Sequence, residues 1–268
     1  MASDDLAAFQ SGDASGWINA LTQAVKASAA DPVKAAATRV RLGEGLMTVG
    51  DLDRADTQFD TAVSLDPSWG PKAALLRQLL RALKSRDEVF AQGRAPEVLA
   101  EPDAYLTALL KANAALRDGE ADAGALFEAA EQLRPAFAGV CDGATIDDWR
   151  DLDDRLGGVI EVVTSNGKYF WTPMSQVREL RFQPIERPRD VVLRQMELDV
   201  IDGPTGVVFM PTTYWTAPDR ANDAMRLARV TEWSEGADSD PVIGYGQRVF
   251  LVGEEAKPVN SLTVLTQS

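Results

Sequence analysis

Ala55-Asp56-Thr57-Gln58-Phe59-Asp60-Thr61-Ala62-Val63-Ser64-Leu65-Asp66-Pro67 places alanine, phenylalanine, alanine and proline at successive spacings of four, three and five residues. Ala123, Phe127, Ala130 and Pro135 repeat those spacings 68 residues later, two steps of a period of about 34. A third copy, Ala20, Ala24, Ala27 and Pro32, lies 35 residues before the first and carries Ala24 where the others carry phenylalanine. Small side chains at helical spacing let neighbouring helices approach, the phenylalanine fills the gap between them, and proline stops the helix. Leu42, Gly43 and Leu46 fall where a preceding helix supplies its large-small contact, and Gly50-Asp51 makes the turn. A helix-turn-helix with Ala-x3-Phe-x2-Ala-x4-Pro on this period is the tetratricopeptide pattern. An alanine-rich bundle produces single copies by chance, whereas three copies on one period favour repeat helices. Ser68 to Glu101 keeps the repeat length without its signature and reads as irregular or divergent helices, with Arg77, Arg81 and Lys84 on one face. So short an array leans on the rest of the chain for its cap.

Outward from the helices the texture changes. From about residue 157 valine, isoleucine, threonine and the large aromatics rise, and turn residues come closer together, the mark of a strand-rich region. Asn166-Gly167 between Gly158–Thr164 and Lys168–Thr172 is a hairpin signal, because both residues tolerate the positive φ of a type I′ turn. Further strands are expected near 177–182, 191–201, 206–213, 229–233, 242–252 and 262–266. Met196, Leu198 and Val200 alternate with Gln195, Glu197 and Asp199, as in a sheet with one wet face. Asp219 to Arg229 reads as one short helix with Ala221, Ala224, Met225 and Ala228 inward. The fold class is therefore α+β: a tetratricopeptide-like helical domain over 1–136, an acidic linker or helix over 137–156, and a compact, mainly antiparallel β-rich domain over 157–268.

Composition narrows the chemistry. The 268 residues carry 27 basic and 41 acidic side chains, a formal charge of −14, no histidine and one cysteine, Cys141. A 45% hydrophobic fraction separates this acidity from that of a disordered chain. Without histidine no Ser-His-Asp or Cys-His arrangement forms in cis, and the usual neutral-pH base and commonest metal ligand are missing. A lone cysteine fits a reducing compartment. The charge repels a phosphate backbone, so no nucleic-acid role is expected. Neither a signal-peptide pattern nor a long apolar run is read, so the expectation is a cytoplasmic protein with no membrane insertion.

Each candidate site in the sequence has a plain structural reading beside the functional one. A calcium loop starting at Asp147 would need glycine at its sixth position and glutamate at its twelfth, but these are Leu152 and Gly158. The cluster Asp142 to Asp154 thus reads as a solvated, capping-rich linker. Asp147 and Asp151, four apart, would serve a carboxylate-dependent hydrolase only beside a cleft that nothing in the sequence builds. No phosphate-binding loop or nucleophile elbow occurs, and Gly244-Tyr245-Gly246 reads as a bend or bulge in a strand. Catalytic, cofactor and metal residues are none on this reading. The aromatics of the β-rich part, with Arg226, Arg229 and Arg248 near them, suit a protein interface instead.

Three blocks, in order, bear a resemblance. Asp154-Arg155-Leu156-Gly157 leads into Val159–Val163 and Asn166-Gly167-Lys168-Tyr169-Phe170-Trp171-Thr172-Pro173. Asp223-Ala224-Met225-Arg226-Leu227-Ala228-Arg229-Val230-Thr231-Glu232-Trp233 follows, then Gly244-Tyr245-Gly246-Gln247-Arg248. With the helices ahead of them, they resemble the ImpE/TagJ (SciE-type) family of type VI secretion accessory proteins over essentially the whole chain. The resemblance implies a non-enzymatic, virulence-associated bacterial adaptor without cofactor. Its implied partners are the amino-terminal helix of the contractile sheath's small subunit and the AAA+ unfoldase that turns the sheath over. Thr212-Thr213-Tyr214-Trp215 departs from the family's pattern after the central strand. The alternatives are a general tetratricopeptide chaperone or scaffold for secretion substrates, and the hydrolase.

A groove of repeat helices can take the apolar face of an amphipathic helix. As exposed aromatic and arginine anchors for such a partner, the residues chosen are Trp17, Arg77, Arg81 and Tyr105 on the helical side and Tyr214, Trp215 and Arg248 on the β side.

Overall fold

The computed structural model describes residues 4–237 and 239–267. Seven helices come first: α1 (Asp4–Ser11), α2 (Ala14–Ala27), α3 (Pro32–Thr48), α4 (Leu52–Leu65), α5 (Gly70–Gln92), α6 (Ala104–Asp118) and α7 (Ala123–Glu131). Much of the acidity begins helices. Asp13, Asp31, Asp51 and Asp103 each cap an N-terminus by accepting a backbone N–H three residues on, satisfying an otherwise orphaned donor at the positive end of the helix dipole. Gly93 and Gly119 end α5 and α6 in the left-handed conformation.

The quoted spacing packs as its chemistry demands. Ala55, Phe59 and Ala62 are fully buried, and Ala123, Phe127 and Ala130 are buried too. At the α3–α4 contact a Cβ on Gly43 would stand 2.3 Å from the Phe59 ring, so glycine there is what lets the phenylalanine in. The Ala24 copy behaves differently. Ala20 and Ala24 are only half-buried and Ala27 is exposed; α2 turns Ala14, Trp17 and Leu21 inward instead. With no phenylalanine at that place, Trp17 fills the gap from the other side, against Phe9 at 4.9 Å. The expected irregular segment is one continuous helix, α5, of 23 residues. Leu76, Leu79 and Leu80 keep one face buried, and no breaker stands between Pro71 and Gly93.

The strands are β1 (Gly139–Cys141), β2 (Ala144–Ile146), β3 (Trp149–Asp151), β4 (Val159–Val163), β5 (Tyr169–Pro173), β6 (Val177–Phe182), β7 (Leu193–Val200), β8 (Thr205–Pro211), β9 (Thr231–Trp233), β10 (Gly244–Gly246), β11 (Val249–Val252), β12 (Glu255–Pro258) and β13 (Val264–Gln267). Eight form one antiparallel sheet in the order β2-β1-β13-β6-β7-β8-β4-β5; β12-β11-β3 and β10-β9 make two smaller ones. Asn166-Gly167 does turn β4 into β5, with Gly167 at φ +84°. Met196, Leu198 and Val200 are buried along β7. The helix expected over 219–229 shrinks to one turn, α8 (Asp223–Arg226), closed off by Ala228 at φ +52°.

One reading is overturned. The stretch Asp142 to Asp154, which reads as a solvated linker, supplies two strands, β2 and β3, and Asp151 and Asp153 within it are wholly buried. Arginine partners, described next, make that burial tolerable.

The large sheet has a core on each face. Phe209, Val159, Val163, Tyr169 and Trp171 join the helices in one cluster, while Ile160, Val162, Met196 and Met210 join Trp149 and Phe250 in the other. The helical half is thus packed directly onto one sheet face.

Candidate functional site: a charged seam between two cavities

Where α5 meets the sheet, charge is buried. Arg86 of α5 grips Glu161 of β4 with two bonds, Nε to Oε1 at 2.6 Å and Nη2 to Oε2 at 3.0 Å, and also donates to the Thr213 carbonyl at 2.8 Å. Arg248 donates to Glu161 at 3.1 Å and, through Nε, to Asp151. The Tyr169 hydroxyl donates to Glu161 and accepts from Trp171 Nε1 at 2.7 Å. Tyr214 donates its hydroxyl to Asp151 at 3.0 Å and accepts from the Val249 N–H at 3.0 Å. Beside them Arg155 holds Asp153 and reaches the carbonyls of Trp215 at 3.2 Å and Gly244 at 3.1 Å. Three arginines, Arg86, Arg155 and Arg248, thus face three carboxylates, Asp151, Asp153 and Glu161, all buried.

Such a set contributes little net stability, because desolvation cancels most of the attraction, but it penalises any docking that separates the partners. The carboxylates respond differently to it. Burial drives Glu161 upward, yet Arg86 and Arg248 outweigh burial and hold it below the ordinary range. For Asp151 burial wins, helped by Asp153 against the pull of Arg248, and its carboxyl is pushed up to about 6. Asp151 is therefore shifted toward its protonated form, opposite in direction to Glu161.

The first and third sequence blocks converge on this seam, and the second borders it through Trp233, whose ring lies 5.8 Å from that of Tyr214. Arg155, Tyr169, Trp171 and Arg248 are in the seam, and the glycines beside them make room. A Cβ on Gly244 would stand 2.3 Å from Tyr214, and one on Gly158 would stand 3.0 Å from Tyr105. Tyr105 accepts the Gly158 N–H in this tight corner.

This placement corrects several of the chosen anchors. Trp17, Tyr105, Tyr214 and Arg248 are buried, because each fills a core or closes a hydrogen-bond set. Arg77 and Arg81 are exposed on α5, and Arg77 is paired with Asp56 and Asp60 of α4. Trp215 is half-buried, stacked on Phe90 at 5.5 Å and donating to Asp87 at 3.0 Å. Sequence reasoning missed Arg86, Glu161, Asp151, Asp153 and Arg155. A signal was available at one of them: Glu161 interrupts Val159-Ile160-Glu161-Val162-Val163, a run apolar enough for a strand buried on both faces. Asp147 is exposed and Asp151 is paired, and neither lines the two cavities described next. Burial, with the charge of Asp142, pushes the Cys141 thiol up, away from its reactive thiolate form.

Two cavities flank the seam, and Trp215 borders both. The larger, about 840 Å³, lies between α2, the α3–α4 turn and α5 on one side and the segment Pro211–Arg226 on the other. Ile18, Val49, Leu83, Tyr214 and Ala221 give it apolar walls, while Asp51, Arg54, Asp87, Asp223 and Arg226 add charge of both signs. The smaller, about 420 Å³, lies between the end of α5, α6 and the residues around Tyr245. Among the described residues no helix is long and apolar enough to cross a membrane.

Known proteins resemble this chain. Residues 143–266 match the family described as ImpE protein. The type VI secretion system accessory component TagJ of Pseudomonas aeruginosa is 33% identical over 224 residues, 82% of this chain and 78% of that protein. The crystal structure of protein VPA1032 from Vibrio parahaemolyticus superposes with a TM-score of 0.89 at 30% identity, covering 99% of this chain and 98% of that one.

Proposed function

The chain belongs to the ImpE family, and from that premise we propose that it is a non-enzymatic accessory component of a type VI secretion system. In this reading it works in the cytoplasm as an adaptor. It takes a helical segment of the contractile sheath's small subunit into the larger cavity and so assists sheath assembly or its turnover by the AAA+ unfoldase. The observation that carries the reading is the shape and lining of that cavity. About 840 Å³ lies open between the helices and the Pro211–Arg226 segment. Apolar walls with a charged rim suit an amphipathic helix laid in by its apolar face. A net charge of −14 favours a neutral or basic segment and speeds its arrival more than it tightens its hold.

The test is calorimetric titration of the full chain with the amino-terminal helical peptide of the sheath small subunit. Saturable binding that is lost in Ala221→Arg, which puts a bulky charge on the cavity wall, is the expected result. No binding of the peptide, alongside capture of secretion substrates, would sink the sheath reading in favour of a general chaperone or scaffold.

A further inference from the structure

The smaller cavity differs from the larger in sign. In a chain with 41 acidic residues, no aspartate or glutamate among the described residues lines it, whereas Arg94, Arg117 and Arg155 all do. Its walls are aromatic: Phe90, Trp171, Trp215 and Tyr245.

Arg155 is the decisive residue. Only 6% of it is exposed, and its guanidinium lies over the Phe90 ring at 5.3 Å. Nε and Nη2 are occupied by Asp153 and by the Trp215 and Gly244 carbonyls. Nη1 meets no acceptor among the described residues and is not one of the polar atoms sealed from water without a partner, so it is the end of this guanidinium that solvent or a ligand can reach. Arg117 adds a second cation. It spends Nε and Nη2 on Asp118, and its Nη1 sits over Gly93, where a Cβ would stand 2.1 Å away. Gly93 therefore serves α5 twice, as a left-handed cap and as the seat of an arginine.

We propose that this cavity is a ligand site for a carboxylate carried on an aromatic or aliphatic body. The carboxylate completes the bonding of Arg155 Nη1, and the body packs against the wall formed by the stacked Phe90 and Trp215 rings. A volume of about 420 Å³ falls within the range of small-ligand pockets. The same chemistry comes from two sources, a free small carboxylate or the carboxy-terminus of a chain that ends in an apolar residue. The site is separate from the cavity assigned to the sheath segment and stands without that assignment.

Because Trp171 and Trp215 are in the walls, tryptophan fluorescence of the full chain reports occupancy. The probes are phenylacetate, its neutral match phenylacetamide, and an acetylated Gly-Gly-Phe peptide with a free or an amidated carboxy-terminus, all at constant ionic strength. Saturable binding of an acid is expected, with its amide about tenfold weaker or more, the worth of one charge-assisted hydrogen bond. Ala114→Leu, which fills the cavity from α6, is expected to abolish the response while leaving the melting temperature within a few degrees. Tighter binding of the peptide acid assigns the site to a chain terminus, and tighter phenylacetate assigns it to a small molecule. Lack of saturation by either acid, equal affinity for acid and amide, or full binding by a folded Ala114→Leu variant overturns the proposal.

Discussion

Arg77 and Arg86 stand nine residues apart on α5, about two and a half turns, and so face opposite ways. Each holds carboxylates. Arg77 pairs with Asp56 and Asp60 at the surface, with 47% of its side chain exposed; Arg86 pairs with Glu161 beneath the helix, where Glu161 is 0% exposed. Water competes for the first pair and screens it, so its worth is small. The second has no water to fall back on, so its formation brings little and its breakage a great deal. One helix therefore shows why an arginine-carboxylate pair has no fixed value. On its outer side it decorates, and on its inner side it selects the single way α5 sits on the sheet.

The sharpest way to break that contrast is Glu161→Gln. It leaves Arg86 and Arg248 without the charge they share, and should lower unfolding stability in urea by about 3–5 kcal/mol. A loss below about 1 kcal/mol would mean the seam is no tighter than the surface. Gly43→Leu comes next, since it touches packing and no charge. Its side chain must displace Phe59, which stands 2.3 Å from where a Cβ would be, at a cost of about 1–3 kcal/mol.

Titration separates two buried or half-buried aspartates by sign more than by size. Burial raises Asp148, but its bonds to Arg134 and the Phe137 N–H outweigh that and hold it below its ordinary value of 3.8. The stability it brings is complete above pH 3.8 and fades as pH falls through its folded value. Asp151, raised to about 6, behaves in reverse: its protonated form favours the fold below pH 3.8, and that advantage is lost as pH rises through 6. Measured against Asp148→Asn and Asp151→Asn variants, the parent chain should therefore show opposite slopes with pH. Parallel slopes would remove the distinction. Smallest of all, Arg77→Ala should change stability by about 0–1 kcal/mol, and that change should shrink further in high salt. A larger, salt-insensitive loss would move Arg77 into the same class as Arg86.

Legibility followed the range of the interactions. Alanine and phenylalanine at helical spacing announce a packed helix pair, and Ala55, Phe59 and Ala62 are buried as that spacing requires. The hairpin at Asn166-Gly167 and the alternation along β7 were readable for the same reason, since a turn or a strand face is set by immediate neighbours. The seam was not readable in full. Glu161 in its valine run was a visible anomaly, but its partners Arg86 and Arg248 lie 75 and 87 residues away. Aromatics and arginines of the β half suggested surface anchors because they are the residues that dominate interfaces; the same traits, a large apolar body with a polar tip, suit them to a satisfied core.

The amino acids in their order determined which aspartates cap α2, α3, α4 and α6, which glycines turn the chain, and that helices precede a sheet. These are local matters of dihedral freedom, capping and periodicity. Only the tertiary structure decided which charges are buried, because burial depends on α5 meeting β4 and on Arg248 arriving beside both Asp151 and Glu161. The same docking left two cavities on either side of Trp215, one with charge of both signs and one lined, among the described residues, by arginine without acid. No spacing along the chain encodes that difference, since each cavity is walled by segments that come together only when the helical half closes on the sheet.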